Sequence, residues 1–264
     1  MSDNSESWKW VDEDPIDRLL QRPDRTGAGP ASGMTAVSLI AEGGARFARL
    51  EFEEAARAYT AVIAADAGHP TAHFDLAVCL EKMEQWKAAA DSFRRALEID
   101  PERWQALVGL GACLLHLDDA DEALTCFETC LERAVSPEVA LLGKGASLQK
   151  LGRRYEAGVA YRELLEIAPD SVDPLANMIA LSVEREDLSA IAHYSSLLLK
   201  IHPQSKAALQ GMAMLAIHNG DQAAAVDYCS QLVETDPDSF EGRFNLRFAQ
   251  QRMRQAERSA RSIA

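Results

Sequence analysis

The sequence predicts an all-α protein built from stacked pairs of helices, and two regularities support that prediction. The first is a period of 34 residues, at which an alanine recurs with an aromatic residue four positions after it. The alanines are Ala55, Ala89, Ala123 and Ala157, and the aromatic residues are Tyr59, Phe93, Phe127 and Tyr161. The second is an apolar residue at every third or fourth position, as in Leu76, Leu80 and Met83, which is typical of one face of a helix. A unit this short cannot bury such a face alone, so the units must stack on one another.

Each unit is predicted to contain two helices that pack closely. The small alanine lets the two helices approach, and the aromatic residue one turn later fills the wedge between neighbouring units. A proline closes the second helix, because proline cannot continue one. Pro169, Pro203 and Pro237 step by 34 residues, and Pro101 falls in the same frame.

This pattern resembles the tetratricopeptide repeat family. The resemblance covers six units, which are 36–69, 70–103, 104–137, 138–171, 172–205 and 206–239. The fifth unit departs from the pattern, with Ile191 at the alanine place and Ser195 at the aromatic place, and the sixth has Cys229 at the aromatic place. The resemblance implies a right-handed α-solenoid of stacked helix-turn-helix hairpins, and it says little about the ligand.

The segments outside the six units have predicted structures of their own. Residues 1–35 form an N-terminal extension, with a short amphipathic helix over about 14–22 and a flexible linker after it. Residues 240–264 form an arginine-rich helix that caps the open end of the solenoid. Its arginines either form a solvated surface or contact an acidic partner.

Composition and charge argue against several classes of function. The formal net charge of -14 argues against a general nucleic-acid binder, because phosphate contacts need a basic surface. No apolar run approaches the roughly 18 residues of a membrane helix, so no membrane insertion is expected. The first residues contain no basic region followed by an apolar stretch, so no secretory signal is visible. Five cysteines without a CxxC pair are most consistent with a reduced cytoplasm.

Residues for catalysis or cofactor binding do not occur at recognisable spacings. The six histidines form no HExxH pattern, and no nucleophile and base share a local signature. The glycine-rich stretch at 26–33 lacks the lysine of a phosphate loop. The sequence therefore predicts no enzyme activity, no metal and no cofactor.

The resemblance places the first helix of each unit on the concave side of the solenoid. The inward places on these helices are more apolar than a solvated face, and exposed apolar patches usually mark binding sites. The predicted groove contacts are Ile40, Phe47, Phe74, Val78, Val108, Ala112, Leu115, Leu142, Ala146 and Met214. The expected ligand is an apolar or amphipathic peptide segment of a protein partner. The alternative is that tight curvature packs these residues against one another and leaves no groove.

The N-terminal extension carries apolar residues that form a candidate docking segment. They are Trp8, Trp10, Ile16, Leu19 and Leu20. So short a helix is unstable alone in water and is expected to order on binding. Its destination is either the groove of the same protein, in cis or on a second copy, or a separate protein. The remaining alternative is a disordered tail without a partner.

The resulting hypothesis is a non-catalytic, cytoplasmic scaffold or adaptor that binds a peptide segment and is regulated by its own N-terminal segment. In this hypothesis Phe74→Ala weakens partner binding without unfolding the chain. Two rivals remain open. One is a self-associating assembly protein, and the other is a non-catalytic subunit that positions a partner enzyme.

Overall fold

The computed structural model describes residues 33–238 and 240–263, and these residues form thirteen helices and no strand. The prediction of an all-α fold is confirmed. The short helix predicted over 14–22 lies outside the described residues. Within the described ranges, none of the helices combines the length and the apolar composition that a membrane span requires.

The described residues form two compact units that divide between residues 160 and 161, and the division falls inside one helix. The first unit contains α1 Gly33–Phe47, α2 Phe52–Ala65, α3 Ala72–Lys82, α4 Trp86–Ile99, α5 Trp104–His116, α6 Ala120–Glu132 and α7 Pro137–Lys150. Helix α8, Arg154–Ile167, crosses the division. The second unit contains α9 Val172–Glu184, α10 Leu188–Ile201, α11 Lys206–Asn219, α12 Gln222–Thr235 and α13 Phe240–Ile263. Within each unit, helices that follow one another in sequence pack together as antiparallel neighbours.

The first helix of each hairpin ends on a residue with positive φ. These residues step by 34 positions and are Leu50, Glu84, Asp118, Gly152, Glu186 and Gly220. The amide after each one donates back to the helix, as Gln85 N does to Leu80 O at 2.8 Å and Arg153 N to Leu148 O at 2.8 Å. This is the Schellman ending, in which a left-handed residue satisfies the last carbonyls of a helix. Only two of the six positions carry glycine, the residue that adopts this conformation without strain.

The second helices end where the prolines predict. Helix α4 ends at Ile99, two residues before Pro101, and α8, α10 and α12 end at the same distance from their prolines. Those prolines are Pro169, Pro203 and Pro237. Proline is therefore the stop signal of each of these helices, as expected from its missing N–H.

In the first unit, buried aromatic rings fill the space between the first helices of neighbouring hairpins. A Cβ atom placed on Gly143 would lie 2.3 Å from Phe127 Cε1, and one on Gly111 would lie 2.7 Å from Phe127 Cζ. In the same way, a Cβ atom placed on Gly109 would lie 2.4 Å from Phe93 Cζ. The rings of Phe93 and Phe127 have no exposed surface. The predicted role of the aromatic residue as a wedge is confirmed, and glycine on the facing helix is what makes room for it.

In the second unit a smaller contact replaces this wedge. Ser195 stands at the aromatic place and is fully buried, and a Cβ atom on Gly211 would lie 2.4 Å from its Oγ. Ile191, at the alanine place, lies 3.2 Å from the same position and fills part of the volume. The departures from the repeat pattern in this unit thus compensate one another.

Ion pairs between hairpins of the first unit lie at the surface. Arg94 pairs with Glu122 at 2.9 Å, and Arg133 donates to the carbonyl of Pro101 at 2.7 Å. Lys150 also contacts Asp118. Exposed pairs of this kind contribute roughly 0–1 kcal/mol each, so apolar packing dominates the stability of the stack.

Candidate functional site

The inner helices of the first unit bring most of the predicted groove residues into one register. Helices α1, α3, α5 and α7 are the first helices of their hairpins, and α3 packs on α5 as α5 does on α7. Equivalent places of the 34-residue repeat therefore face the same side of the unit. Nine predicted residues lie on these four helices, and Met214 lies on α11 of the second unit, where it is half-buried.

Five of the predicted groove residues belong to the core, so the expectation that their side chains line an open groove is wrong. Their exposed fractions are Phe74 7%, Val78 5%, Val108 1%, Leu115 3% and Leu142 5%. The Phe74 ring packs on that of Phe93, with 5.8 Å between the centroids, and is covered by the Arg103 guanidinium at 5.1 Å. The glycines opposite Phe93 and Phe127 let the inner helices approach so closely that these side chains fill the interface between them. For these five residues the alternative applies, in which the inner side chains pack against one another and leave no groove.

The other predicted residues of the first unit keep part of their surface in solvent. Ile40, Phe47, Ala112 and Ala146 are half-buried. Phe47 contacts Phe52 edge to face, with 5.3 Å between ring centroids, and also packs on the core beneath. These four side chains therefore combine a fixed position with an accessible edge.

Helix α1 presents an apolar face that extends beyond the predicted contacts Ile40 and Phe47. Val37 is 55% exposed, and Ala41 and Gly44 are exposed as well. Together with Ile40 and Phe47 they follow the helical spacing of three and four residues and so form one stripe. A Cβ atom on Gly44 would meet only Tyr59 Oη, at 3.9 Å, so the backbone of α1 is open to close approach there. The signal in the sequence was the run of small residues, which favours close packing as much as ligand contact.

Asp75 is a half-buried carboxylate on α3 beside this stripe. Burial raises its pKa to about 6, while Arg103 and a hydrogen bond from Thr71 lower it in part. Its negative charge also contributes to the raised pKa of the Tyr59 hydroxyl, the group that lies nearest to Gly44. Glu81, six residues further along α3, is 6% exposed. Both carboxylates occupy inward places of the repeat, beside the predicted contacts Phe74 and Val78.

The described residues offer little for covalent or metal chemistry. Their five cysteines are all buried and unpaired in disulfides, and burial raises the pKa of Cys79 to about 12 and that of Cys130 to about 11. Thiols with such pKa values are poor nucleophiles near neutral pH. No cluster of three or more potential metal ligands occurs among the residues that the structure describes. The docking residues Trp8, Trp10, Ile16, Leu19 and Leu20 lie outside the described ranges.

A separate cleft of about 510 Å³ lies in the second unit between α10, α11 and α12. It is lined mainly by apolar side chains, among them Leu188, Ala192, Met212 and Tyr228. The predicted contact Met214 is not part of its lining.

Comparison with known proteins gives one consistent family. Models described as tetratricopeptide repeat match residues 40–102, 82–144, 139–171 and 207–239. No curated protein matches the sequence. Among solved structures, Pseudomonas aeruginosa PilF superimposes with a TM-score of 0.68 at 19% identity, over 84% of this chain and 99% of the other.

Two further solved structures superimpose on this chain to a similar extent. PilW, a widely conserved type IV pilus biogenesis factor, has a TM-score of 0.69 at 19% identity, over 84% of this chain and 99% of its own. A tetratricopeptide repeat protein of Parabacteroides merdae has a TM-score of 0.67 at 18% identity, over 85% and 90% of the two chains. At such identities the likeness extends to the fold alone, which is one whose stacked repeats generally serve protein–protein interaction. The repeats, their glycine–aromatic contacts and the matching family models together show that this chain belongs to the tetratricopeptide repeat superfamily.

Proposed function

We propose that the chain is a non-catalytic interaction scaffold that binds an amphipathic segment of a partner protein on the inner face of its first unit. The observation that carries this proposal is the stripe on α1, where Val37, Ala41 and Gly44 are exposed beside the half-buried Ile40 and Phe47. A solenoid helix that packs on one side only normally presents polar residues on the other. An accessible apolar stripe is therefore more consistent with a binding surface than with a solvated one.

The ligand is expected to combine apolar residues with a basic one. Apolar side chains would pack on the stripe, and the glycine at 44 permits a peptide backbone to approach α1 closely. Asp75 lies on the same side, and its raised pKa reports a carboxylate that has lost much of its hydration. A lysine or arginine of the ligand would restore a favourable partner for that charge, and the net charge of -14 would speed its approach.

A random peptide library displayed on phage, selected on the full chain, tests this proposal directly. The expected product is a set of sequences with apolar residues at helical spacing and at least one Lys or Arg. Gly44→Gln should weaken the selected peptide about tenfold or more, because its side chain occupies the space that the peptide backbone uses. Ala64→Gln, an exposed position on α2, is the matched control and should bind as the wild type does.

The preference for a basic residue in the ligand is tested separately. Asp75→Asn should reduce binding of the basic peptide but leave unchanged the binding of a version with Gln in place of its basic residue. Enrichment of no sequence, or equal affinity for Gly44→Gln and Ala64→Gln, would reject the inner face as the binding site.

The proposal also covers the class of partner and the compartment in which the scaffold acts. The acidic charge favours a protein partner over nucleic acid, and the scaffold acts in the cytoplasm without inserting into a membrane. Neither a catalytic residue nor a cofactor is assigned. Regulation of the inner face by the chain's own N-terminal segment stays a prediction that the same peptide assay can test.

A second candidate function, self-association, is favoured by a different surface. Three phenylalanines on α13 are exposed in the described structure: Phe240, Phe244 and Phe248. They lie on a helix that is otherwise rich in arginine, in a chain whose total charge is strongly negative.

A further inference from the structure

The last helix of the chain has one buried side and one apolar side in solvent. Leu246 and Ala249 of α13 pack on the core of the second unit, against residues that include Ala216 and Ala225. On the opposite side the exposed fractions are Phe240 80%, Phe244 58% and Phe248 38%. These three recur every four residues, and the rings of Phe240 and Phe244 stack with 6.5 Å between centroids.

Arginines continue this face toward the C-terminal end of α13. Arg247, Arg254 and Arg258 line one shallow depression together with Gln251 and Gln255. Arg252 lies beside the aromatic end, with its guanidinium 5.7 Å from the centre of the Phe248 ring. Among the described side chains, no carboxylate forms a salt bridge with Arg247, Arg254 or Arg258. We call the surface formed by the three phenylalanines and these three arginines the aromatic–arginine face.

A terminal helix of a solenoid normally protects the array by turning a polar side to water. On the aromatic–arginine face only the C-terminal half, which carries the arginines, is polar. Tyr155 and Ile167 of α8, which are also exposed, form no such row on their helix. A contiguous apolar patch bordered by charge is the type of surface that proteins use for association.

We propose that the aromatic–arginine face binds the acidic segment 3–17 of a second copy of this chain. That segment contains six carboxylates and a single lysine, and its apolar residues lie between the acidic ones. The carboxylates are Asp3, Glu6, Asp12, Glu13, Asp14 and Asp17, and the apolar residues include Trp8, Trp10, Val11 and Ile16. Tryptophan rings would pack on the phenylalanine row, and the carboxylates would pair with the unpaired arginines.

The second copy is the occupant because of the length of the tether. Residues 18–32 join the segment to α1, and fifteen residues span roughly 20 Å, about the width of two packed helices. Eleven helices stand between α1 and α13 in the sequence, and solenoid helices contact mainly their sequence neighbours. A second copy can supply the segment without any limit set by the length of this tether. The proposal goes beyond the inner-face function and uses a different surface.

The test is the mass of the full chain by sedimentation velocity over a wide range of protein concentrations. The wild type should associate reversibly, and 0.5 M salt should weaken association because arginine–carboxylate pairs are screened. Phe244→Ser together with Phe248→Ser should raise the concentration for half-association about tenfold or more. Both side chains lie on the solvent side of α13, so the helix content should not change. Tyr155→Ser, 73% exposed on α8, is the matched control and should associate as the wild type does.

A competition experiment identifies the occupant. A synthetic peptide of residues 1–20 in excess should dissociate the assembly, whereas the same peptide with Ser at both tryptophans should not. Full chains with Trp8→Ser and Trp10→Ser should stay monomeric. A wild type that is monomeric at every concentration overturns the proposal, even if the free peptide binds, because docking then occurs within one chain or not at all. Association that survives the changes on α13, or association indifferent to the peptide, would equally overturn it.

Discussion

Replacing Gly143 with alanine should destabilise the first unit by overpacking. The added Cβ would lie 2.3 Å from Phe127 Cε1, 2.4 Å from Cζ and 2.5 Å from Cδ1, all well inside van der Waals contact. The ring cannot retreat, because Gly111 of α5 approaches it from the other side and its surface is fully buried. Overpacking of this kind costs about 1–3 kcal/mol, and the better helix propensity of alanine offsets about 1 kcal/mol. Because three ring atoms lie within 2.5 Å of the added Cβ, the cost falls at the upper end of that range, and the expected net loss is about 2 kcal/mol.

Urea unfolding followed by circular dichroism at 222 nm measures this loss as a lower transition midpoint. Gly44→Ala is the matched control, since residue 44 lies in a helix with open space around it, and the change should raise the free energy of unfolding by about 0.5–1 kcal/mol. Phe127→Leu in the Gly143→Ala background should cost less than Phe127→Leu alone, because the smaller side chain makes room for the methyl group. A Gly143→Ala protein as stable as the wild type would refute the description of the ring as wedged between two helices.

Two further predictions concern the backbone and the charge of the first unit. Glu84 adopts φ 57° and Gly152 adopts φ 72°. In urea unfolding, Glu84→Gly should therefore stabilise the fold by about 0.5–1 kcal/mol, and Gly152→Ala should destabilise it by about 1 kcal/mol. Transition midpoints equal to that of the wild type would argue against strain at these turns. The raised pKa of Asp75 means that its protonated form favours folding, a contribution present below the usual pKa of 3.8 and lost as the pH rises through about 6. Asp75→Asn should therefore raise the melting temperature at pH 8 by an amount equivalent to about 1–3 kcal/mol and change it little at pH 4; an equal effect at both pH values would contradict this assignment.

The fold could be predicted from the sequence because its determinants are local and repeated. Ala89 and Phe93 recur in register with Ala123 and Phe127, and prolines follow the ends of four second helices. The positive-φ turns follow the same period, yet only Gly152 and Gly220 reveal it. Residues such as Glu84 adopt this conformation because the surrounding packing imposes it, and side chain identity alone gives no sign of that.

The binding surface was harder to predict, because exposure depends on how closely the inner helices approach. Phe74 and Val108 occupy inward places of the repeat, but the glycine–aromatic contacts draw α3, α5 and α7 together and bury both side chains. Val37 stays 55% exposed on α1, the first helix of the described chain. The same periodicity thus describes core residues in the middle of the unit and surface residues at its start.

Methyl NMR of the full chain is the most direct test of whether the α1 stripe is a binding surface. Isotope labels on alanine and valine methyl groups report Ala41 and Val37 on the stripe and, as a reference, Val183 on α9 of the second unit. Adding the selected peptide should shift the signals of Ala41 and Val37 in a saturable manner and leave Val183 unchanged. Saturable binding that shifts only signals away from α1 would contradict the claim and move the site to another surface.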